Sequence, residues 1–589
     1  FGGHALMVAI IEMVILFLFL LPVSSSPFLL KQDVAQSPTD DDTRCGMAMQ
    51  SIKLVTIGDS LTQGVASGGA ARYETCYPTL LADALRIDGY KRPKDPLFPL
   101  PFNVEDLLRE VERKTGPKLS HAFDMLVAIG ILYSELDASE DFYERGAGRP
   151  ENPIEGPNYY HNLGVSGFRV ADAWNVSPKG CLERIRNSEE ASTDGWTFSS
   201  DWECRNALRV LRPKPNWKPQ PQQLSSLSSS FDFGNMTQLD WLSFYAESKG
   251  VEHIVIWLGS NNALSSLVDL NLDFQSPPLF RTDTEPTNIP GFDQKAVLYS
   301  VESFKSDFSA LIQRLDVALA HNRYRDYKVY LVTVPELTIA PYLKGFGEPK
   351  RQQDGTYYFD TYGYFFATSP KVGSTITMEQ ARFVDRQIQG YNKHIKSIVS
   401  SRSNFHLVDI AGELNKLAYL RNNGKPTYVW PKGATEAIVS SLGNDFIPDT
   451  RLYETERLPW WKRWFSWSAN GYRVKKGGLF SLDGLHPTAI AQGLFADEMM
   501  KVIRKAEKKT RIDSHSNDFA KHNDESEDGL SRLLWEKIVA SDSLLQNPVP
   551  LYNEFTAGNE NKILRNIAVR ASKILSISAG AEVADDDTK

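Results

Sequence analysis

The segment Ile57-Gly58-Asp59-Ser60-Leu61-Thr62-Gln63-Gly64 sets a serine between two glycines, directly behind a run of apolar and β-branched residues. A serine at the carboxyl end of a strand, with a helix to follow, carries its hydroxyl to the edge where an α/β sheet keeps its ligands. Serine is also a good helix cap, so the segment by itself fits either role. Much further along stands Asp483-Gly484-Leu485-His486-Pro487. A histidine three residues after an aspartate on a turn lets the carboxylate orient the imidazole, the side chain best suited to proton transfer near neutrality. Between them lie Asn162-Leu163-Gly164-Val165-Ser166-Gly167 and Gly259-Ser260-Asn261-Asn262. Glycine at a strand end lets a backbone N–H approach a reacting atom, and an asparagine side chain brings two N–H donors. Taken singly, Asn261 also reads as a loop asparagine and Asp483 as a helix cap.

Five apolar runs can position these residues: 53–57, 159–163, 251–258, 327–334 and 405–410. Their nearly continuous hydrophobicity predicts strands buried on both faces, as in a parallel sheet. Helical patterns fall at 77–87, 239–248, 299–321, 378–400 and 488–505. The first has Pro78 in its opening turn and Leu80, Leu81, Ala84 and Leu85 on one face. The alternation predicts a doubly wound α/β sheet. Long insertions at about 88–157, 171–235, 268–298, 336–377 and 411–480 are expected to cover a site or form subdomains. Residues 506–589 are charged, with an acidic patch at 524–528 and a helical stretch at 530–541 whose apolar side is Leu533, Leu534 and Ile538. They read as a C-terminal tail, partly helical or disordered, without identifiable chemistry.

Together the four segments resemble the four blocks of the SGNH, or GDSL, hydrolases, in that family's order: G-D-S-L, N-x-G-x-x-G, G-x-N-D and D-x-x-H-P. The resemblance spans 51–505 in outline and leaves the insertions unmatched. It implies a three-layer α/β/α sandwich with a five-stranded parallel sheet of flavodoxin-like type, and a serine ester hydrolase that needs no cofactor. On this resemblance Ser60 is the nucleophile, His486 its general base, and Asp483 the group that fixes the imidazole. The oxyanion hole is then the N–H of Ser60, the N–H of Gly164 and the carboxamide of Asn261. Asp59 supports the first block by bonding nearby backbone. Asn262 stands where the family's third block has Asp, which puts the local hydrogen bonding of that loop in question. Lipid or other long acyl esters are the favoured substrates. Carbohydrate O-acetyl esterases and acyltransferases would use the same scaffold, and a non-catalytic binding protein is the competing class.

Composition narrows the field. The 589 residues carry 65 Lys+Arg against 73 Asp+Glu, a net charge of −8, with 42% apolar and 23% charged residues. That excludes a wholly disordered or fibrous chain, and an acidic balance without a basic block argues against nucleic acid as a partner. None of the four cysteines forms C-x-x-C, and the scattered histidines show no H-E-x-x-H, so no metal is expected. Cys181 and Cys204 lie close enough in sequence to close a loop. Residues 1–50 read as an apolar leader and linker: 5–23 is an apolar run with Glu12 its single charge, long enough to cross a bilayer and followed by three serines. This predicts a signal peptide or anchor, and so a secreted or membrane-anchored protein; translation starting at Met47 or Met49 would instead give a cytoplasmic one. Two sequons, at Asn175 and Asn235, fit the secretory route. Trp460, Trp461, Trp464 and Trp467, with Lys462 and Arg463 among them, read as a substrate-binding flap that meets a membrane surface or a sugar, or as the insertion's own small core. Ser67-Gly68-Gly69 lacks the ending of a phosphate loop and reads as a turn.

Overall fold

In a computed structural model of the chain the described residues are 51–556, except 71, 101, 120–121, 151, 153–157, 192–197, 215–216, 218, 220–226, 269–297, 368, 371–374, 444–445, 460–469 and 515–532. Four of the apolar runs become β1 (Ile52–Gly58), β2 (Val251–Trp257), β3 (Lys328–Val332) and β4 (Phe405–Val408). They lie side by side in that order, all parallel. Alternate side chains enter two cores. Val55, Ile57, Ile254, Ile256, Val329 and Leu331 face one side, while Leu54, Val255, Trp257, Tyr330, Val332 and Val408 face the other. Both faces are covered, which is why the strands read as unbroken apolar runs rather than as alternation.

The helices that bear on the site are α1 (Ser60–Gln63), α2 (Tyr77–Ala84), α3 (Phe198–Leu211), α4 (Gln238–Ser248), α5 (Asn261–Val268), α6 (Val301–Leu319), α7 (Met378–Ser400), α8 (Ala489–Ser514) and α9 (Trp535–Ser541). Helices α4, α6 and α7 bury Leu242, Leu311 and Ile388 on the first face; α2 and α8 bury Leu81 and Leu494 on the second. Their starts are chemically specified. Capping boxes open α4 (Thr237 with Asp240) and α7 (Thr377 with Gln380), Ser300 caps α6, and Pro78 sits in the first turn of α2.

The run at 159–163 is not a fifth strand. It makes one parallel bridge, Asn162 to Thr56, on the free edge of β1. Thr56 N donates to His161 O at 3.0 Å, and Leu163 N to Thr56 O at 2.9 Å. Val165 N then donates to Gly58 O at 3.1 Å, so the segment follows β1 to its end, while Asn162 Oδ1 accepts the N–H of Gly164 at 3.0 Å.

The reading of everything past 506 as a tail also needs correction. Helix α8 continues to Ser514, and Trp535, Ile538, Val539, Leu545, Leu551 and Tyr552 are buried in the second core. Leu534, expected on the apolar side of the last helix, is exposed while its neighbour Trp535 turns inward. Among the insertions, 88–157 carries helices Val104–Thr115 and Ala122–Glu140, and 336–377 a small antiparallel sheet of Leu343–Phe346, Thr361–Tyr364 and Thr375–Thr377. Residues 411–480 include a hairpin of Glu454–Arg457 with Tyr472–Lys476. Cys181 and Cys204 are buried free thiols. The sequon Asn175 has its amide nitrogen buried, which leaves no space for a glycan on the folded chain. The apolar leader and the four-tryptophan segment lie outside the described residues; among those described, no helix is long and apolar enough to cross a membrane.

Candidate active site

Gly58, the last residue of β1, pairs with Trp257, the last of β2. The chain segments beyond them, 59–61 and 258–261, therefore leave the sheet side by side at its carboxyl end. From β1 the chain reaches the 161–165 edge on one side, and from there β2 on the other, so this is the switch point where such sheets hold ligands.

Ser60 opens the single turn α1. The cap is Asp59, whose Oδ1 accepts the N–H of Leu61 at 3.1 Å. Thr62 and Gln63 donate to Asp59 O at 3.1 and 2.9 Å. Serine is thus not the cap, and the N–H of Ser60 has no acceptor among the described residues. Gly64 ends the turn at φ +95°, a conformation that favours glycine, and its N–H returns to Ser60 O at 3.1 Å. Ser60 and His486 line the same cavity, of about 780 Å³ with its open mouth included. Its other walls include Leu337, Ile339, Leu414, Leu417, Leu494 and Phe495. The one carboxylate in the wall, Glu336, is tied to Arg421 at 3.0 Å and to Gln389 at 2.9 Å. Among the described residues no hydrogen bond joins Ser60 to His486.

Asp483 holds the imidazole. Its Oδ2 lies 2.7 Å from His486 Nδ1, and its Oδ1 accepts the N–H groups of Leu485 and His486 at 2.8 and 2.9 Å. Burial by itself would raise the pKa of this carboxyl, but the charge and hydrogen bonds of His486 outweigh it and hold it below the ordinary value. The group is therefore an anion at neutral pH, able to fix one tautomer and stabilise an imidazolium.

Residues that the sequence did not single out complete this arrangement. The N–H of Gly68 donates to Asp483 Oδ2 at 2.6 Å, and the N–H of Ser67 to Ser481 Oγ at 2.7 Å. Ser67 sits at φ +51°, which costs a non-glycine residue about 1–2 kcal/mol and persists because its N–H, its carbonyl and its hydroxyl oxygen are all engaged. The turn after Ser60 is thus the platform for Asp483. Gln492 of α8 accepts from Tyr77 N at 2.9 Å and donates to Leu61 O at 3.2 Å, which docks the helix behind His486 onto the turn that carries Ser60. From the C-terminal side, Tyr552 donates to Leu482 O at 2.8 Å, and Asp542 accepts from Ile490 N at 3.1 Å. No spacing rule could have found these partners, because most join residues far apart in the chain.

Of the groups expected as oxyanion donors, Gly164 has its N–H engaged. The N–H of Gly164 is committed to Asn162 Oδ1, and a Cβ there would lie 2.5 Å from Gln63 N. Gly164 is required for close packing against α1, and it has no free donor. Gly167, three residues on, has an N–H without an acceptor among the described residues. Its neighbour Phe168 accepts from Asn261 Nδ2 at 2.9 Å, which leaves the second hydrogen of that amide unspent. Asn262 turns its Oδ1 to the N–H of Val170 at 3.2 Å, while its own Nδ2 is buried without a partner. Asp59 is fully buried with Oδ2 unpartnered. Burial pushes its pKa up to about 7, against the opposing pull of the Leu61 N–H and the charge of His486. The proposed flap residues Trp460, Trp461, Trp464 and Trp467 lie outside the described residues. Among those described, no group of three or more His, Cys, Asp or Glu side chains could hold a metal ion.

No protein-family model matches this chain, and neither does any curated protein or any solved structure.

Proposed function

We propose that the chain is a serine ester hydrolase of the SGNH type, with Ser60 as nucleophile, His486 as general base and Asp483 as its orienting anion. One observation carries the reading: Ser60 and His486 face a common cavity while Asp483 grips the far nitrogen of the imidazole at 2.7 Å. A hydroxyl is a poor nucleophile until a base can take its proton. In the proposed cycle His486 takes that proton as Ser60 attacks the ester carbonyl, then returns it to the departing alcohol. Water, activated by the same imidazole, releases the acid from the acyl-enzyme. The unspent N–H groups of Ser60, Gly167 and Asn261 are the proposed donors to the oxygen that becomes negative, in place of the Gly164 N–H. The finer fold reading belongs to the same proposal: 161–165 fills the fifth position of a flavodoxin-like sheet whose chain order is 2-1-3-4-5.

The largely aliphatic and aromatic walls of the cavity support long-chain acyl or lipid esters as substrates. A fluorophosphonate probe tests the chemistry. Labelling of the folded wild type that disappears in Ser60→Ala is expected, and a folded but unlabelled wild type would sink the proposal in favour of a binding protein. Hydrolysis of p-nitrophenyl esters of rising chain length tests the substrate class. Turnover of acetate alone would overturn the lipid reading.

A further inference from the structure

Helix α3 lays a carboxyl group against one of the proposed oxyanion donors. A Cβ placed on Gly167 would lie 2.6 Å from Glu203 Oε1, 2.9 Å from its Cδ and 3.1 Å from its Cγ. The acid of α3 therefore fills the space that a side chain at 167 would need. Gly167 also sits at φ +85°, a conformation that favours glycine, so two constraints reserve the position. Contact this close sets the carboxyl beside a peptide whose own N–H has no acceptor among the described residues. Glu203 comes from the insertion at 171–235, outside the four blocks that carry Ser60, Asn261, Asp483 and His486.

No hydrogen bond from a described residue holds Glu203 in its charged form. Burial pushes its pKa up to about 7, against the pull of Arg169 and Arg184, with Asp172 pushing the same way as burial. Those three are the described charged groups that face it, two from the loop that follows Gly167 and one from the helix Pro178–Ala191. On α3 itself Asp201 is engaged by Arg205 at 2.7 Å. The same cluster touches a second proposed donor. Arg169 Nε donates to Asn261 O at 3.4 Å, while the N–H of Arg169 donates to Asp172 Oδ2 at 2.7 Å.

We propose that Glu203 is a positioning residue for ester cleavage: its carboxyl must be neutral for the N–H groups of Gly167 and Asn261 to stabilise the oxyanion, and its anion slows the reaction. The inference rests on the ester-hydrolase reading. As the carbonyl is attacked, its oxygen becomes negative next to Gly167. A neutral carboxyl there leaves the field of the donors intact, and a carboxylate opposes it. In a partly buried site, screened less well than water, one such charge a few Å away slows the step by about 10–50-fold.

The test compares the full-length wild type with Glu203→Gln at constant ionic strength. The readout is the second-order rate of labelling by a fluorophosphonate from about pH 5 to about pH 9. Glutamine matches the protonated acid in shape and never ionises. A ratio of the two rates cancels what both proteins share, including the protonation of His486 and the titration of Asp59. The ratio of variant to wild type should be constant below about pH 6, climb by about 10–50-fold around pH 7, and level off above about pH 8. A role in packing alone would give the same ratio at every pH. A flat or falling ratio overturns the inference and leaves the ester-hydrolase reading standing. A folded wild type that is unlabelled at every pH sinks that reading, and this inference with it. If Glu203→Gln does not fold, Glu203→Ala takes its place in the ratio, with the same results expected and excluded; a wild type whose labelling shows no loss on the alkaline side is equally fatal.

Discussion

Asp59→Asn should gain stability relative to wild type as the pH rises from about 4 to 7. The wild-type carboxyl titrates at about 7 when folded, against an ordinary value of 3.8. A folded-state pKa raised in an acid means that the folded chain binds the extra proton between those two values. Stability therefore falls as pH rises from 4 to 7, by about 1.4 kcal/mol per unit, for a total of at most about 4 kcal/mol. Asparagine keeps the acceptor for Leu61 N–H and never ionises, so the variant lacks this loss. The difference between variant and wild type, followed by urea denaturation at each pH, should be flat below pH 4, climb in favour of the variant to pH 7, and level off. A flat difference across the range would refute the reasoning. So would one of opposite sign, which is what an Asp59 stabilised as an anion would give.

Three further substitutions probe the site. Asp483→Asn leaves Gly68 N–H and His486 Nδ1 competing for a poorer acceptor; kcat should fall by about 10³–10⁴ with KM little changed, measured on an activated ester. Gly164→Ala drives a methyl group to within 2.5 Å of Gln63 N, so the denaturation midpoint should drop by the equivalent of about 1–3 kcal/mol; a neutral result would mean that α1 is not packed against this loop. Tyr552→Phe strands the carbonyl of Leu482 and should cost about 1–3 kcal/mol of stability. If that bond also holds the His486 loop in place, kcat falls several-fold while KM stays, and an unchanged kcat would rule out the positioning role.

The central sheet is legible because its strands are buried on both faces, and a continuous run as short as Val251–Trp257, rich in β-branched residues, fits a buried strand better than a helix. The run at 159–163 carries a similar apolar signal and hydrogen-bonds along the edge of β1, yet it makes a single bridge there and no regular strand. Ser60, Asp483 and His486 can be named from residue type and spacing. Gly164 is expected as a donor, yet its N–H bonds Asn162 and its missing side chain lets two backbones touch, a distinction that no local pattern carries. Ser67, Gly68 and Gln492 are invisible in the sequence because their partners stand more than 400 positions away, and a serine beside paired glycines reads as a bend wherever it occurs. The final segment reads as solvated tail because the charged stretch before it dilutes an otherwise apolar set.

The clasp between Gly68 and Asp483 has a bearing on biogenesis. Its halves are 415 positions apart, and Tyr552 adds a brace from still further along. A nascent chain halted near residue 470 already owns its hydroxyl, but has neither the imidazole nor the peptide that secures it. Ser60 and His486 can therefore come to share their cavity only after the chain has passed residue 486.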